Sequence, residues 1–204
     1  EVRVRGAVSE YSGMTEVTVS QLWICSNGNS VTPTEVSLPV TAVTDFEPYE
    51  GMLVTFPQPL VISEYFNYDR YGEIILTTTR QYQPTAIYDP AIPDPESPLP
   101  DWAVLAQENA LSRIILDDGL SSQNPSTLRH PNGLPFSLTN LFRGGDTVTN
   151  TTGVLDYSAS AYRIHPTAVA DYTAVNPRPA VRPDVGGNLQ IAAMNTLNYF
   201  LTAD

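Results

Sequence analysis

Two pairs of carboxylates stand close together in the sequence: Glu47 with Glu50 in "DFEPYEGM", and Asp117 with Asp118 in "LDDG". Paired carboxylates can act as the acid and the base of glycoside hydrolysis, and they can also hold calcium or magnesium. Adjacent strand residues point to opposite faces, however, and Asp-Asp-Gly at a strand end is typical of a turn whose carboxylates cap backbone N–H groups. Asp117 and Asp118 are therefore candidate metal ligands, with the structural turn as the favoured interpretation.

Nucleophilic catalysis has little support in the sequence. The single cysteine, Cys25 in "LWICSN", cannot form an internal disulfide and is predicted to be a small buried apolar side chain. His130 lies in a Pro/Gly-rich stretch and His165 precedes a proline, and no pattern couples either histidine to a nucleophile. The sequence also lacks a P-loop, a dinucleotide fingerprint and zinc-ligand spacing.

All cationic side chains are arginine, because the ten basic residues include no lysine. Arginine suits fixed, bidentate pairing with carboxylates or phosphates, and its planar head stacks on aromatic rings. Arg70, Arg143, Arg163 and Arg178 stand at predicted turns, beside tyrosines, glycines or prolines. If these arginines are structural, they pair with acidic side chains. If they are functional, they contact phosphates. Our candidate nucleic-acid-binding residues are Arg70, Tyr71, Arg143 and Arg163.

The charge balance limits the partners that this chain can have. Twenty-two acids against ten arginines give a net charge of −12, which repels nucleic acid at long range. An acidic surface without lysine fits an extracellular, saline setting, where excess carboxylates are screened. A hydrophobic content of 42% is enough for a folded core. The chain contains no apolar run long enough to predict a membrane span.

Short alternating segments, separated by turn residues, predict an all-β fold. The class is either an OB-like barrel or two packed small β subdomains, with one short helix and long Pro-rich loops. The helix is predicted from Asp101 to Leu111, and strands are predicted to bend at Gly6 and Gly153. The predicted strands are 2–8, 15–24, 34–40, 51–56, 59–66, 72–79, 146–157, 162–167 and 188–194.

The stretches between strands suggest how the chain is divided. We predict an OB-like β region over 1–175, with a break between two subdomains near the Pro-rich segment 84–100 if there are two. Residues 176–187, "NPRPAVRPDVGG", form a predicted linker. The apolar strand that follows lies in 188–204, and we expect it to be the first strand of another, truncated domain.

A set of short phrases, in order along nearly the whole chain, resembles the secreted bacterial endonucleases of the ExeM/NucH type. The resemblance implies that this chain is the N-terminal, OB-like region, which precedes a nuclease domain of the DNase I-like (endonuclease/exonuclease/phosphatase) fold. The phrases are "EYSGMTEV", "YEGMLVTF", "DRYGEI", "QPT", "ILDDG", "RGGDTV", "TGVLDY", "YRIHPT", "NPRP" and "GGNLQIAAMNTLNYF".

The resemblance also implies a reaction and a site. In the family the apolar strand ends in an Asn at the metal and the scissile phosphate, and the matching position here is Asn195. A divalent cation, Mg²⁺ or Ca²⁺, would assist phosphodiester hydrolysis of extracellular DNA or RNA. The other catalytic residues of the family are absent from this chain, so it is expected to be inactive alone.

Three functions remain open at this level. The region positions nucleic acid for the nuclease domain of the same polypeptide, or it supports that domain as a scaffold. Alternatively, it is a stand-alone carbohydrate-binding or adhesion module. Clustered Arg and Tyr residues would favour the first function, an apolar patch beside 176–187 the second, and a shallow aromatic cleft the third.

Overall fold

Strands make up most of the regular structure. The computed structural model describes residues 1–92, 100–189 and 191–193. Its strands are β1 (Val2–Tyr11), β2 (Met14–Ile24), β3 (Thr34–Glu35), β4 (Leu53–Phe56), β5 (Leu60–Glu64), β6 (Ile74–Thr77), β7 (Arg113–Leu116), β8 (Thr147–Thr149), β9 (Thr151–Ser158), β10 (Ala161–Pro166) and β11 (Asp171–Thr173). The helices are a 3-10 helix (Val43–Tyr49), α1 (Tyr68–Tyr71), α2 (Pro84–Ile87) and α3 (Asp101–Leu111).

The all-β class predicted from the sequence is confirmed. A curled sheet of nine strands forms a half-barrel, and a two-stranded ribbon is separate from it. The predicted helix from Asp101 to Leu111 is present as α3. The predicted strand 188–194 is wrong for the part of it that the structure describes, because residues 188, 189 and 191–193 form no strand.

The nine-stranded sheet joins distant parts of the chain. Its strand order is β11-β8-β5-β6-β7-β10-β9-β4-β3, with the pairs β7–β10 and β3–β4 parallel and the other neighbours antiparallel. Strands β6 and β7 pair directly although the segment 84–100 lies between them in sequence. That segment therefore does not separate two sheets. No helix among the described residues has the length and apolar character needed to cross a membrane.

The core lies on one face of the curled sheet. Burial alternates residue by residue along β4, β5 and β9, as expected for strands with one covered face. All four residues of β6 are buried, which places this strand in the middle of the packed region. The apolar side chains with the least exposure are Phe46, Val54, Phe56, Leu60, Ile62, Ile74, Leu76, Ile114, Val148, Leu155 and Ile164.

The ribbon β1–β2 has one apolar face. In β2 the apolar residues change from odd to even positions between Val19 and Leu22, so a regular ladder would place them on opposite faces. At Gly6 the register shifts by one residue, because Ser20 has no partner in β1. Val17 and Val19 therefore lie on the same face of the ribbon as Leu22 and Ile24. This confirms the predicted irregularity at Gly6, where a Cβ atom would collide with the Thr18 carbonyl oxygen. The exposed side chains of this face are Val2, Val4, Val8, Val17, Val19, Leu22 and Ile24.

The ribbon meets the sheet through its turn. The Thr15 amide donates to the Glu50 carboxylate over 3.1 Å, and the Tyr157 amide lies 3.4 Å from the Met14 sulfur. Gly13 packs on the Tyr157 ring so closely that a Cβ atom there would lie 2.7 Å from it. Gly153, the other predicted bend, causes no register shift. A Cβ atom at this position would collide with the His165 carbonyl oxygen on β10, so the close approach of the two strands requires glycine.

Candidate functional site

Two adjoining depressions lie where the turn before β8 meets the segment that follows β11. They share Phe142, Arg143 and Asn176, and their volumes are about 320 and 520 Å³. Arg80 lines the smaller depression and Arg178 lines the larger one. We call the combined feature the arginine groove. Volumes of this size are typical of small-ligand sites.

A single buried carboxylate holds the floor of the arginine groove. One oxygen of Asp146 accepts hydrogen bonds from the Arg143 amide (2.7 Å) and the Tyr172 hydroxyl (2.7 Å), and the other accepts from the Asn176 amide (2.9 Å). Burial alone would raise the pKa of Asp146, but these hydrogen bonds outweigh it and hold the pKa below its usual value. Asp146 therefore stays ionised and ties both walls of the groove together.

Backbone contacts extend this support to the sheet. The Ile62 amide donates to the Asp146 carbonyl, and the Gly145 amide donates back to the Ile62 carbonyl over 2.8 Å. The Asn176 side-chain amide donates to the Gly144 carbonyl over 2.7 Å. Both sides of the groove are thus fixed to β5 and to each other, which is the kind of rigid support that a binding site requires.

The three arginines of the groove have no carboxylate partner in the part of the chain that the structure describes. Arg80, Arg143 and Arg178 are exposed, and none of them makes an ion pair with another residue that the structure describes. Asp146 is ionised, so three cationic side chains stand against one carboxylate among the residues that line the groove. The groove therefore carries a net positive charge on a chain whose overall charge is −12.

Aromatic rings stand beside these arginines. Tyr65 lines the groove and packs edge-to-face on Phe142 at a centroid distance of 5.7 Å, yet it stays 49% exposed. Tyr172 lines the other half of the groove. Arg80 lies over the ring of Tyr82 at 5.4 Å. Cationic and aromatic groups together form the surface that can bind a phosphate-linked chain of flat bases.

The family of the chain follows from one comparison. A model of a domain of unknown function, DUF8508, matches residues 15–176. The chain belongs to the DUF8508 family. No curated protein and no solved structure matches it. The DUF8508 range contains Arg80, Arg143 and Asp146, and Arg178 lies two residues beyond it.

The four predicted nucleic-acid-binding residues occupy three different environments in this DUF8508 chain. Arg143 lies in the arginine groove. Arg70 is exposed, donates to Gln123 and lies over the ring of Tyr71 at 5.1 Å. Arg163 is 6% exposed and bound by acids, so it is not available to a phosphate, and its assignment is corrected to a structural one.

Arg163 belongs to a buried ionic network at the centre of the sheet. It donates to Asp117 over 2.6 Å and to Glu73 over 2.8 Å. On the other side of Asp117, the Nδ1 atom of His165 lies 3.5 Å from Oδ1, which is an electrostatic contact and too long for a hydrogen bond. The His165 Nε2 atom lies 3.2 Å from Asp156. The network ties the ends of β6, β7, β9 and β10 together.

The "LDDG" segment is the turn that the sequence favoured. Asp117 accepts the Gly119 amide and Asp118 accepts the Leu120 amide, each over 2.8 Å. Burial alone would raise the pKa of Asp117, but the contacts with His165, Gly119 and Arg163 outweigh burial and lower the pKa. For Asp118 burial dominates, and the pKa is raised. Because Asp117 is already neutralised by Arg163, the geometry does not support it as a metal ligand. Within the described part of the chain, no group of three or more His, Cys, Asp or Glu residues could hold a metal ion.

The remaining candidate residues have structural contacts or lie elsewhere. Glu47 accepts the Tyr162 hydroxyl over 2.8 Å and Glu50 accepts the Thr15 amide over 3.1 Å, so each carboxylate has a structural partner. Cys25 is exposed, contrary to the prediction that it is buried, because it follows β2 at the outer end of the ribbon. Asn195 lies outside the described residues.

Sequence reasoning missed two parts of the arginine groove, Arg80 and Asp146. Arg80 lies between predicted elements, and Asp146 begins a predicted strand. Their proximity depends on the pairings of β5 with β8 and of β8 with β11, which a single sequence does not reveal. The "RGGD" run was a usable signal, because an acid after two glycines is well placed to accept backbone amides of its own turn.

Proposed function

We propose that this β-rich module binds nucleic acid in the arginine groove and positions it for a metal-dependent nuclease domain of the same polypeptide, outside the cell. The observation that carries the proposal is the set of three exposed arginines around one groove, which make no ion pair within the described ranges 1–92, 100–189 and 191–193. The resemblance to secreted endonucleases supplies the reaction, which is phosphodiester hydrolysis with Mg²⁺ or Ca²⁺.

The overall charge does not prevent local binding. At about 0.1 M salt the Debye length is about 10 Å, so distant carboxylates are largely screened. Phosphates inside the groove would be affected mainly by its own charged groups, which are the three arginines and the carboxylate of Asp146. Three phosphate contacts predict a weak complex whose binding constant falls with salt, with a logarithmic slope of about −2 for a single strand.

Exposed apolar side chains beside the groove support contact with a neighbouring domain. Residues 177–187 form no helix or strand and are exposed. Val181, Val185, Leu189 and Ile191 are each more than 70% exposed in this part of the chain. Exposed apolar groups in series are typical of surfaces that dock on another domain. The groove would then lie next to that domain.

The binding test uses fluorescence anisotropy of labelled 20-nucleotide DNA over a salt series. The variant Arg80→Gln/Arg143→Gln/Arg178→Gln is expected to lose at least tenfold in affinity and most of the salt slope. Arg3→Gln/Arg5→Gln/Arg70→Gln changes the net charge equally but leaves the groove intact, and we expect wild-type binding. Equal losses in both variants would contradict a specific groove.

The nuclease part is tested separately in the full-length protein. With Mg²⁺ or Ca²⁺ present, the groove variant is expected to raise KM for DNA cleavage and to leave kcat nearly unchanged, because the groove binds substrate without taking part in the reaction. A full-length protein that cleaves neither DNA nor RNA would refute the nuclease assignment.

One cleft favours a carbohydrate-binding function as the second candidate. Amide side chains of Gln81, Gln83 and Asn109 and the ring of Tyr82 line a depression of about 340 Å³ between α3 and the segment after β6. Tyr82 is 55% exposed, so its ring can stack on a sugar. Isothermal titration against polysaccharide fragments, with Tyr82→Ala as the variant, tests this function. Binding that Tyr82→Ala abolishes would favour it over nucleic acid.

A further inference from the structure

We propose that the arginine groove takes single-stranded nucleic acid, with Tyr65 as the ring on which a base stacks. This inference rests on the proposed function, because it specifies the ligand of the same groove. It goes beyond that function by assigning different roles to the arginines and to the ring, and by excluding intact duplex as the preferred ligand.

The position of Tyr65 is fixed while half of its surface stays free. Phe142 contacts the ring edge-to-face at 5.7 Å, and the Cα of Gly144 packs against it, since a Cβ there would lie 3.4 Å from the ring. The side chain is still 49% exposed. A ring held by its surroundings loses little conformational entropy when a ligand binds, which favours stacking.

The next residue adds a second exposed ring. Phe66 follows Tyr65 in the turn between β5 and α1 and is 85% exposed. An exposed phenylalanine has no hydrogen-bonding role and contributes nothing to the packed core. Tyr65 lines the groove, and Phe66 adjoins it in sequence, so Phe66 would give the next base of a bound strand a second exposed ring.

The ligand must present unstacked bases to these rings. In a duplex the bases are stacked on one another and only their edges are open, so the ring of Tyr65 has no base face to contact. Single strands also carry a lower charge density than duplex DNA, which reduces repulsion from a chain of net charge −12. Arg80, Arg143 and Arg178 would contact the phosphates on either side of the stacked base.

The test measures binding of the intact protein to one 20-nucleotide strand and to the duplex made from it, at the same salt concentration. The single strand is expected to bind at least tenfold more tightly. Tyr65→Ala is expected to weaken single-strand binding at least about fivefold without changing the salt slope, because stacking releases no counterions. Phe66→Ala is expected to act in the same direction.

Matched variants separate stacking from folding. Tyr65→Phe keeps the ring and is expected to bind as the wild type does. Tyr11→Ala removes an exposed ring on the ribbon and is expected to have no effect. Equal binding of strand and duplex, unaffected by Tyr65→Ala but lost in the triple arginine variant, would overturn this inference and leave the proposed function standing. Absence of binding to either ligand would overturn both.

Discussion

Replacing Arg163 by leucine tests the buried network at the centre of the sheet. The Arg163 side chain is 7% exposed, and its two partners, Asp117 and Glu73, are 7% and 13% exposed. Leucine leaves Glu73 without its cationic partner and leaves Asp117 with only the 3.5 Å contact to His165. Breaking a buried ion pair in this way costs about 3–5 kcal/mol of unfolding free energy. At about 2–4 °C per kcal/mol for a chain of this size, the melting temperature should fall by about 6–20 °C.

The pH dependence of the loss identifies its cause. In the wild type the contacts of Asp117 lower its pKa, so its contribution is present above the unfolded pKa and is lost as pH falls through the folded pKa. The pKa of Asp117 should rise in the variant, because the contact with Arg163 that lowers it is lost while those with His165 and Gly119 remain. The stability deficit of the variant should therefore shrink as pH falls through the folded pKa of Asp117, because the wild type then also loses the attraction between Asp117 and Arg163.

Thermal unfolding by circular dichroism measures this loss, and Arg113→Leu is the matched control. Arg113 lies 4.0 Å from Glu64 on an exposed surface, so its loss should cost less than about 1 kcal/mol. In the double variant Arg163→Leu/Asp117→Leu, the cost should be smaller than the sum of the single costs, because one charge is no longer orphaned. If Arg163→Leu costs no more than Arg113→Leu, the interpretation of the network is wrong.

Three further predictions concern separate parts of the molecule. The carboxylates of Asp117 and Asp156 raise the pKa of His165, so the stabilising contribution of His165 is complete below its unfolded pKa of about 6.5 and is lost as pH rises through the folded pKa. The variant His165→Gln should therefore show a smaller change of melting temperature with pH between about pH 5 and pH 9. A pH profile equal to that of the wild type would contradict this prediction. The variant Asp146→Asn replaces a carboxylate that accepts three hydrogen bonds by an amide that can accept at only one of its two atoms. We expect the free energy of unfolding, measured with denaturant, to fall by about 1–3 kcal/mol and DNA binding to weaken. Asp69→Asn, at an exposed position, is the control and should change neither. No layer covers the ribbon β1–β2 among the described residues, and two strands alone are only marginally stable. The backbone amides of the ribbon should therefore exchange with deuterium faster than those of β5 and β6. Equal protection at low protein concentration would contradict this and would show that the apolar face is covered.

The sequence predicts the local elements well, because local patterns determine them. Alternation in "VRVRGAV" gives β1, and helical spacing after Asp101 gives α3 with its observed bounds. Elements that depend on distant partners are missed. Strand β11 (171–173) exists because β8 pairs with it, and the predicted strand 34–40 is reduced to Thr34–Glu35, where β4 offers a parallel partner.

The same distinction applies to the site. Asp117 and Asp118 are correctly interpreted as turn residues, since Asx hydrogen bonds span only two positions. The fate of each arginine depends instead on which acids the fold brings near it. Arg163 meets Glu73, ninety positions away, and becomes structural, whereas the exposed Arg143 side chain makes no ion pair with any residue that the structure describes. Sequence alone gives the same description for both residues.

The most direct test of the account is a ¹⁵N-edited NMR titration of the wild-type chain with a short single-stranded oligonucleotide. We expect the largest shifts at the amides of residues 143–146 and Asn176 and at the side chain of Arg80, with small changes in β1, β2 and the Asp117–Gly119 turn. Shifts concentrated on the ribbon or around Arg70, with the groove unaffected, would contradict the proposal that the arginine groove is the binding site.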